Sequence, residues 1–248
     1  ARRATLGASA WTVEVALRYQ LDGFDQAKSR LKLYYTVVQR NGRWYIASDR
    51  DGAGAGRSSQ VGLWDLGKIT VVRGTHSLVL GLRSTVRLRP FAVEADAAVP
   101  RVTEIWGSDW PSKVIIVVPN SQSQMERLAG VGEDYYDQIA AVTRRENGRD
   151  SDESAGDRVI INPSLWAQLG SYGRQVVMTH EITHVATHDA SGSTPTWLSE
   201  GFADYVAYVG VPVSVPVIGQ DLFASIRRGR LPRTLPTSRD FAPSNDRL

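Results

Sequence analysis

The stretch that most constrains this chain is His180-Glu181-Ile182-Thr183-His184. It lies within a segment of helical periodicity, Tyr172 to His188. Two histidines four apart stand one above the other on a helix face, offset by about 6 Å along the axis. One small cation can then take a nitrogen from each. Zinc suits two imidazoles plus a carboxylate, with the fourth position left to water. Glu181 directly follows the first histidine. It stands beside such an ion without binding it, where a general base for an activated water belongs. The same helix has an apolar side. Met178, Ile182, Val185 and Ala186 project about 180° from His180 at 100° per residue. One side anchors in a core and the other carries the histidines into a cleft.

Two histidines leave a third protein ligand to find. The chain offers Pro195-Thr196-Trp197-Leu198-Ser199-Glu200-Gly201-Phe202-Ala203-Asp204-Tyr205. Glu200 follows His184 by 16 positions (200 − 184). A second helix starting near Thr196 returns it to the ion. Asp204 is one turn further and shares the face of Glu200. It is placed to accept the second ring N–H of a ligand histidine and so fix its tautomer.

His188 does not extend the set, because positions 180, 184 and 188 span roughly 12 Å along a helix axis. It reads as a helix C-terminal residue favoured by the dipole. His76, beside Gly74-Thr75, reads as a loop residue.

These motifs, H-E-I-T-H followed by W-L-S-E-G-F-A-D-Y, resemble those of the gluzincin metallopeptidases, in particular the peptidase MA-like group. The resemblance implies that His180, His184 and Glu200 bind Zn2+, that Glu181 is the catalytic base and that Asp204 orients a ligand histidine. It implies an α+β fold, a zincin-like mixed sheet with site helices, over residues 61–248. The expected activity is zinc-dependent hydrolysis of peptide bonds in a peptide or protein substrate. No G-x-M-E-N stretch is present, which favours an endopeptidase over an aminopeptidase. Thermolysin-like relatives use a downstream histidine to stabilise the oxyanion. Here no histidine follows His188, and Tyr205 and Tyr208 are the downstream tyrosines left for that role. In gluzincins the strand at the cleft edge binds extended substrate, and Gln138–Thr143 is the candidate. The alternative function is a non-catalytic binding or cell-envelope module that retains the zincin fold.

Residues 1–60 read as a separate antiparallel β segment with a linker. Trp11 to Leu21 alternates, with Val13, Val15, Leu17 and Tyr19 on one face. Leu31 to Gln39 is β-branched and aromatic, and Asn41-Gly42 turns it into Arg43–Ala47 as a two-residue hairpin. This hairpin is weakly similar to a fragment of NTF2-like domains. Residues 51–59 are rich in glycine and serine, as flexible linkers are.

Beyond the linker, Ile69–Arg73 and Leu78–Leu82 read as a strand pair. Arg83 to Trp106 reads as a helix with Phe91, Ala95, Ala98 and Val102 in one stripe and Pro100 as a possible kink. Val114–Val118 is apolar throughout, so both its faces are buried. Ser121 or Ser123 caps a short helix ending near Leu128. Glu146–Gly156 reads as a loop, Val159–Ile161 as a buried strand, and Asn162-Pro163 as a helix start. Val211–Pro216 reads as extended, Gln220–Arg228 as a short helix, and the Leu231-Pro232 and Leu235-Pro236 pairs as breakers that end it.

Composition closes off other classes. No run reaches the roughly 18 apolar residues of a membrane span. The net charge is +3, and lysine occurs only at Lys28, Lys32, Lys68 and Lys113. Its arginines are scattered and do not interleave with aromatics, so no nucleic-acid partner is expected. Cysteine is absent. The expected location is secreted or associated with the cell envelope, with any signal or anchor outside this chain.

Overall fold

In a computed structural model, residues 10–50, 56–83, 87–147, 154–188, 194–230 and 234–241 are described. The fold is α+β. Its first sheet has three antiparallel strands in chain order: β1 (Ala10–Tyr19), β2 (Ser29–Arg40) and β3 (Arg43–Ser48). Asn41 and Gly42 both take positive φ, 51° and 73°, which a tight turn matching the strand twist requires. The far end of the linker is not loose. Lys32 N–H donates to Gln60 Oε1 and Tyr34 N–H to Ser59 Oγ, so these residues continue along the flank of β2 beyond β3. Residues 51–55 lie outside the described set.

The second sheet has five strands. They are β4 (Ile69–Arg73), β5 (Ser77–Leu82), β6 (Val114–Val118), β7 (Ala141–Asn147) and β8 (Ser154–Ile161). Their order is β4-β5-β6-β8-β7. The β5-β6 and β6-β8 pairs are parallel and both outer pairs are antiparallel. Strand β6 is buried along its whole length, as its apolar run requires.

One face of this sheet, with Val79, Ile116, Val159 and Ile161, packs under three helices. These are α1 (Arg89–Trp106), α4 (Ser171–Thr187) and α5 (Thr196–Tyr208). The short α3 (Pro163–Trp166) starts at Asn162, whose side chain caps it. The opposite face, with Leu78, Ile115, Val117 and Ile160, packs with Leu63, Met125 and Leu128. The last two belong to α2 (Gln122–Ala129), capped by Ser121.

The first sheet docks onto this second face. Arg158 on β8 makes a buried two-point ion pair with Asp25, NH1 to Oδ1 at 2.7 Å and NH2 to Oδ2 at 2.8 Å. Tyr19 donates to Glu146, and its ring meets Trp64 edge-on.

Four boundaries differ from those read in the sequence. The strand expected at Gln138–Thr143 begins instead at Ala141 and runs to Asn147. Its charged half, Arg144-Arg145-Glu146, resembles a loop in sequence. Arg144 and Glu146 pair with each other on the face that meets the first sheet, so the strand continues through them. Where a loop is expected at 146–156, residues 146–147 and 154–156 belong to strands, and 148–153 lie outside the described residues. Helix α1 begins at Arg89 rather than Arg83. Val215–Ile218 forms a helical turn, α6, where extended chain is expected, because Pro216 falls in a first turn that needs no N–H from it. Helix α7 (Gln220–Arg227) follows. Pro232 lies outside the described residues, and no described helix is long and apolar enough to cross a membrane.

Candidate metal centre

Helix α4 buries Met178, Ile182 and Ala186, one per turn, against the sheet. That places His180 and His184 on its other side. Two of its threonines are satisfied internally, Thr183 donating to the Thr179 carbonyl and Thr187 to that of Thr183. Helix α5 buries Ala203, Val206 and Ala207. Its packing on α4 turns Glu200 and Asp204 toward the histidines.

The convergence is tight. His180 Nε2 lies 3.1 Å from His184 Nε2 and 3.2 Å from Glu200 Oε2. His184 Nε2 lies 3.3 Å from the same oxygen. The three atoms therefore form a nearly equilateral triangle. Three ligands about 2.0–2.1 Å from a tetrahedral ion stand about 3.3–3.4 Å apart, which is close to this triangle. His180, His184 and Glu200 form, among the described residues, the group able to hold a metal ion.

The donor chemistry fits a cation as well as the distances do. His180 Nδ1–H donates to Asp204 Oδ1 at 2.9 Å. With that proton committed, the neutral ring turns a lone pair at Nε2 toward His184 and Glu200. Three electron-rich atoms then face one another, an arrangement that needs a positive charge between them. Without a metal, a proton serves. Burial alone would lower the His180 imidazolium, but its bonds to Asp204 and Glu200 outweigh this and lift its pKa to about 10. Burial raises Glu200, yet the two histidines hold it down at about 2. A metal ion entering here displaces that proton.

Glu181 is 7% exposed, its carboxylate lies near enough to His180 for its charge to be felt there, and it is held by β7. Thr143 Oγ–H donates to its Oε2 at 2.7 Å and stands 3.0 Å from its main-chain oxygen. Thr143 is absent from the site as read in the sequence. Its only signal there is parity: it shares the helix-facing side of β7 with buried Ala141, which shows once the register is known.

The remaining candidates lie apart. Tyr205 is 61% exposed and its ring meets Phe202, on the side of α5 away from Glu200. Tyr208 is half-buried two turns after Glu200. Neither has a recorded contact with the triangle. His188 is held by a carboxylate and not by the helix dipole alone, its Nδ1–H donating to Asp157 Oδ2 at 2.7 Å. His76 packs its Nδ1 3.1 Å from the Ser112 carbonyl in the turn before β5. Compared with known protein families and with curated proteins, the chain has no match.

Proposed function

We propose that this chain is a zinc-dependent peptidase of the gluzincin type that cleaves internal peptide bonds. The observation that carries the reading is the 3.1–3.3 Å triangle of His180, His184 and Glu200, with the Glu181 charge acting on His180. Two imidazoles and one carboxylate, with no cysteine in the chain, are the donor set of catalytic rather than structural zinc. Bound there, zinc supplies Lewis acidity that polarises a carbonyl and makes a water acidic. Glu181 takes a proton from the attacking water and delivers it to the leaving amine. Thr143 holds its carboxylate in one orientation for both transfers. Asp204 holds His180 with Nε2 turned inward.

Strand β7 is an edge strand, and α4 runs beside it. An extended peptide pairing with β7 lies next to Glu181 and gains affinity from main-chain hydrogen bonds, independent of its sequence. Small Ala140 and Ala141 leave room for that backbone.

The test is a digest. Zinc-loaded protein incubated with a peptide library of mixed sequence should generate new internal termini, and a chelator should stop it. Tight stoichiometric zinc with an intact library would instead favour a binding module that keeps the metal for structure.

A further inference from the structure

The two sheets do not close on each other completely. Between them lies a cavity of about 330 Å³. Its floor follows from the strand register. Val71 on β4 stands opposite Leu80 on β5, Leu80 beside Val117 on β6, and Val117 beside Ile160 on β8. These side chains form one apolar row across the second sheet, and all of them line the cavity. Tyr19, Leu21 and Leu31, from the first sheet and its β1–β2 connection, line it from the other side, and Leu63, Trp64 and Leu128 complete the wall.

Trp64 is held in place there. Its ring meets Tyr19 edge-on, and Gly62 lets it lie against the main chain, where a Cβ would collide with it. Val71, on the outer strand β4, is 51% exposed and Trp64 41%, so the cavity is open at that edge. Close packing normally leaves few voids larger than one water, whose share of liquid volume is about 30 Å³. A methylene takes up about the same space, so this void has room for a molecule of about ten carbons.

The polar part of the lining is already committed. Arg144 donates to the Leu128 carbonyl and pairs with Glu146 at 2.6 Å. Glu146 also accepts from Tyr19, and Arg158 pairs with Asp25 at 2.7 Å. Each cation here meets a carboxylate, and the cavity carries no unbalanced charge. A charged ligand would lose its hydration and find no free partner. Ordered water fares no better, because it needs several polar partners and the floor offers none.

We infer that this cavity is a binding site for a small uncharged apolar molecule. Burial of its surface against the row from Val71 to Ile160 supplies the affinity. The site lies on the opposite face of the sheet from the metal helix, and filling it needs neither metal nor peptide hydrolysis.

The full chain should be melted at neutral pH with 1-octanol, octanoate and octylamine. The three share one chain length and differ in the charge at one end. At tenfold its Kd, 1-octanol should raise Tm by about 3 °C or more, and the two ions should raise it by clearly less. Leu80→Phe puts a larger apolar side chain into the middle of the floor. Calorimetric titration should show it weakening 1-octanol by about tenfold or more. Should Leu80→Phe fail to fold, Val71→Phe at the open edge carries the test. No shift with 1-octanol, an ion that matches it, or an undiminished affinity in the folded variant would overturn the assignment and leave the cavity to solvent.

Discussion

Asp204 is more exposed than His180, His184 or Glu200, yet it lies closer to His180 than His184 or Glu200 does, 2.9 Å from Nδ1. The role proposed for it is orientation. Asp204→Asn can still accept from the ring, but it no longer stabilises the charge the ligand acquires. Zinc affinity should fall about 10–100-fold in a competition titration with unchanged folding. Affinity equal to wild type would make Asp204 an ordinary helix carboxylate. Thr143 acts on the other side of the centre. Thr143→Val keeps the shape of the side chain and removes the hydroxyl, which frees Glu181 to leave its orientation. The expected outcome is full zinc occupancy with kcat lowered about tenfold or more, KM little changed, and recovery in Thr143→Ser. A KM effect alone would place Thr143 in substrate binding instead. The two residues differ in how far sequence reveals them. Asp204 is one helical turn from Glu200, so local periodicity is enough. Thr143 is 38 positions from Glu181 and reaches it only through the register of β7 on β8. Spacing along the chain does not encode that.

Helix α1 is fixed to the sheet by a device visible only in three dimensions. Asp96 accepts from Thr75 N–H at 2.7 Å, His76 N–H at 2.9 Å and Ser77 Oγ–H at 2.8 Å, closing the β4–β5 turn onto the helix. Gly74 permits the approach, since a Cβ there would collide with the Asp96 carboxylate. Burial pushes the Asp96 pKa up, but the three donors outweigh it and the net shift is downward. A depressed carboxylate contributes stability that is present above its unfolded value and lost as pH falls through its folded value. Asp96→Asn should therefore cost about 1–2 kcal/mol at neutral pH, allowing for partial exposure, and the gap to wild type should close in acid. Denaturant unfolding at two pH values measures both. The same separation of scales explains which elements are legible. Strand β6 is apolar throughout, the Asn41-Gly42 turn has one geometry open to it, and α4 has a clean apolar stripe. Strand β7 is obscured because Arg144 and Glu146 carry loop-like chemistry and find their partners in another sheet.

At the scale of the molecule, two sheets are joined by a pair 133 residues apart in sequence, Asp25 and Arg158, almost wholly buried. Such a pair contributes little over an apolar substitute, but it leaves a costly lone charge if either partner is lost, so it fixes one docking geometry. That geometry covers one face of the β7–β8 hairpin with the first sheet and leaves the other face to α4. The strand that carries Thr143 is thereby held between the two halves of the fold, with Glu181 and the triangle of ligand atoms beyond it. The proposed function divides the labour inside that arrangement: three residues would hold the ion, and Glu181 would move the proton. The direct measurement is a side-by-side digest of the mixed peptide library by wild type and Glu181→Gln, both at equal, stoichiometric zinc. Wild type should cleave internal bonds, and the variant should be slower by about 10²–10⁴-fold with its zinc retained. Equal rates in the two, or an intact library with zinc-loaded wild type, would contradict it.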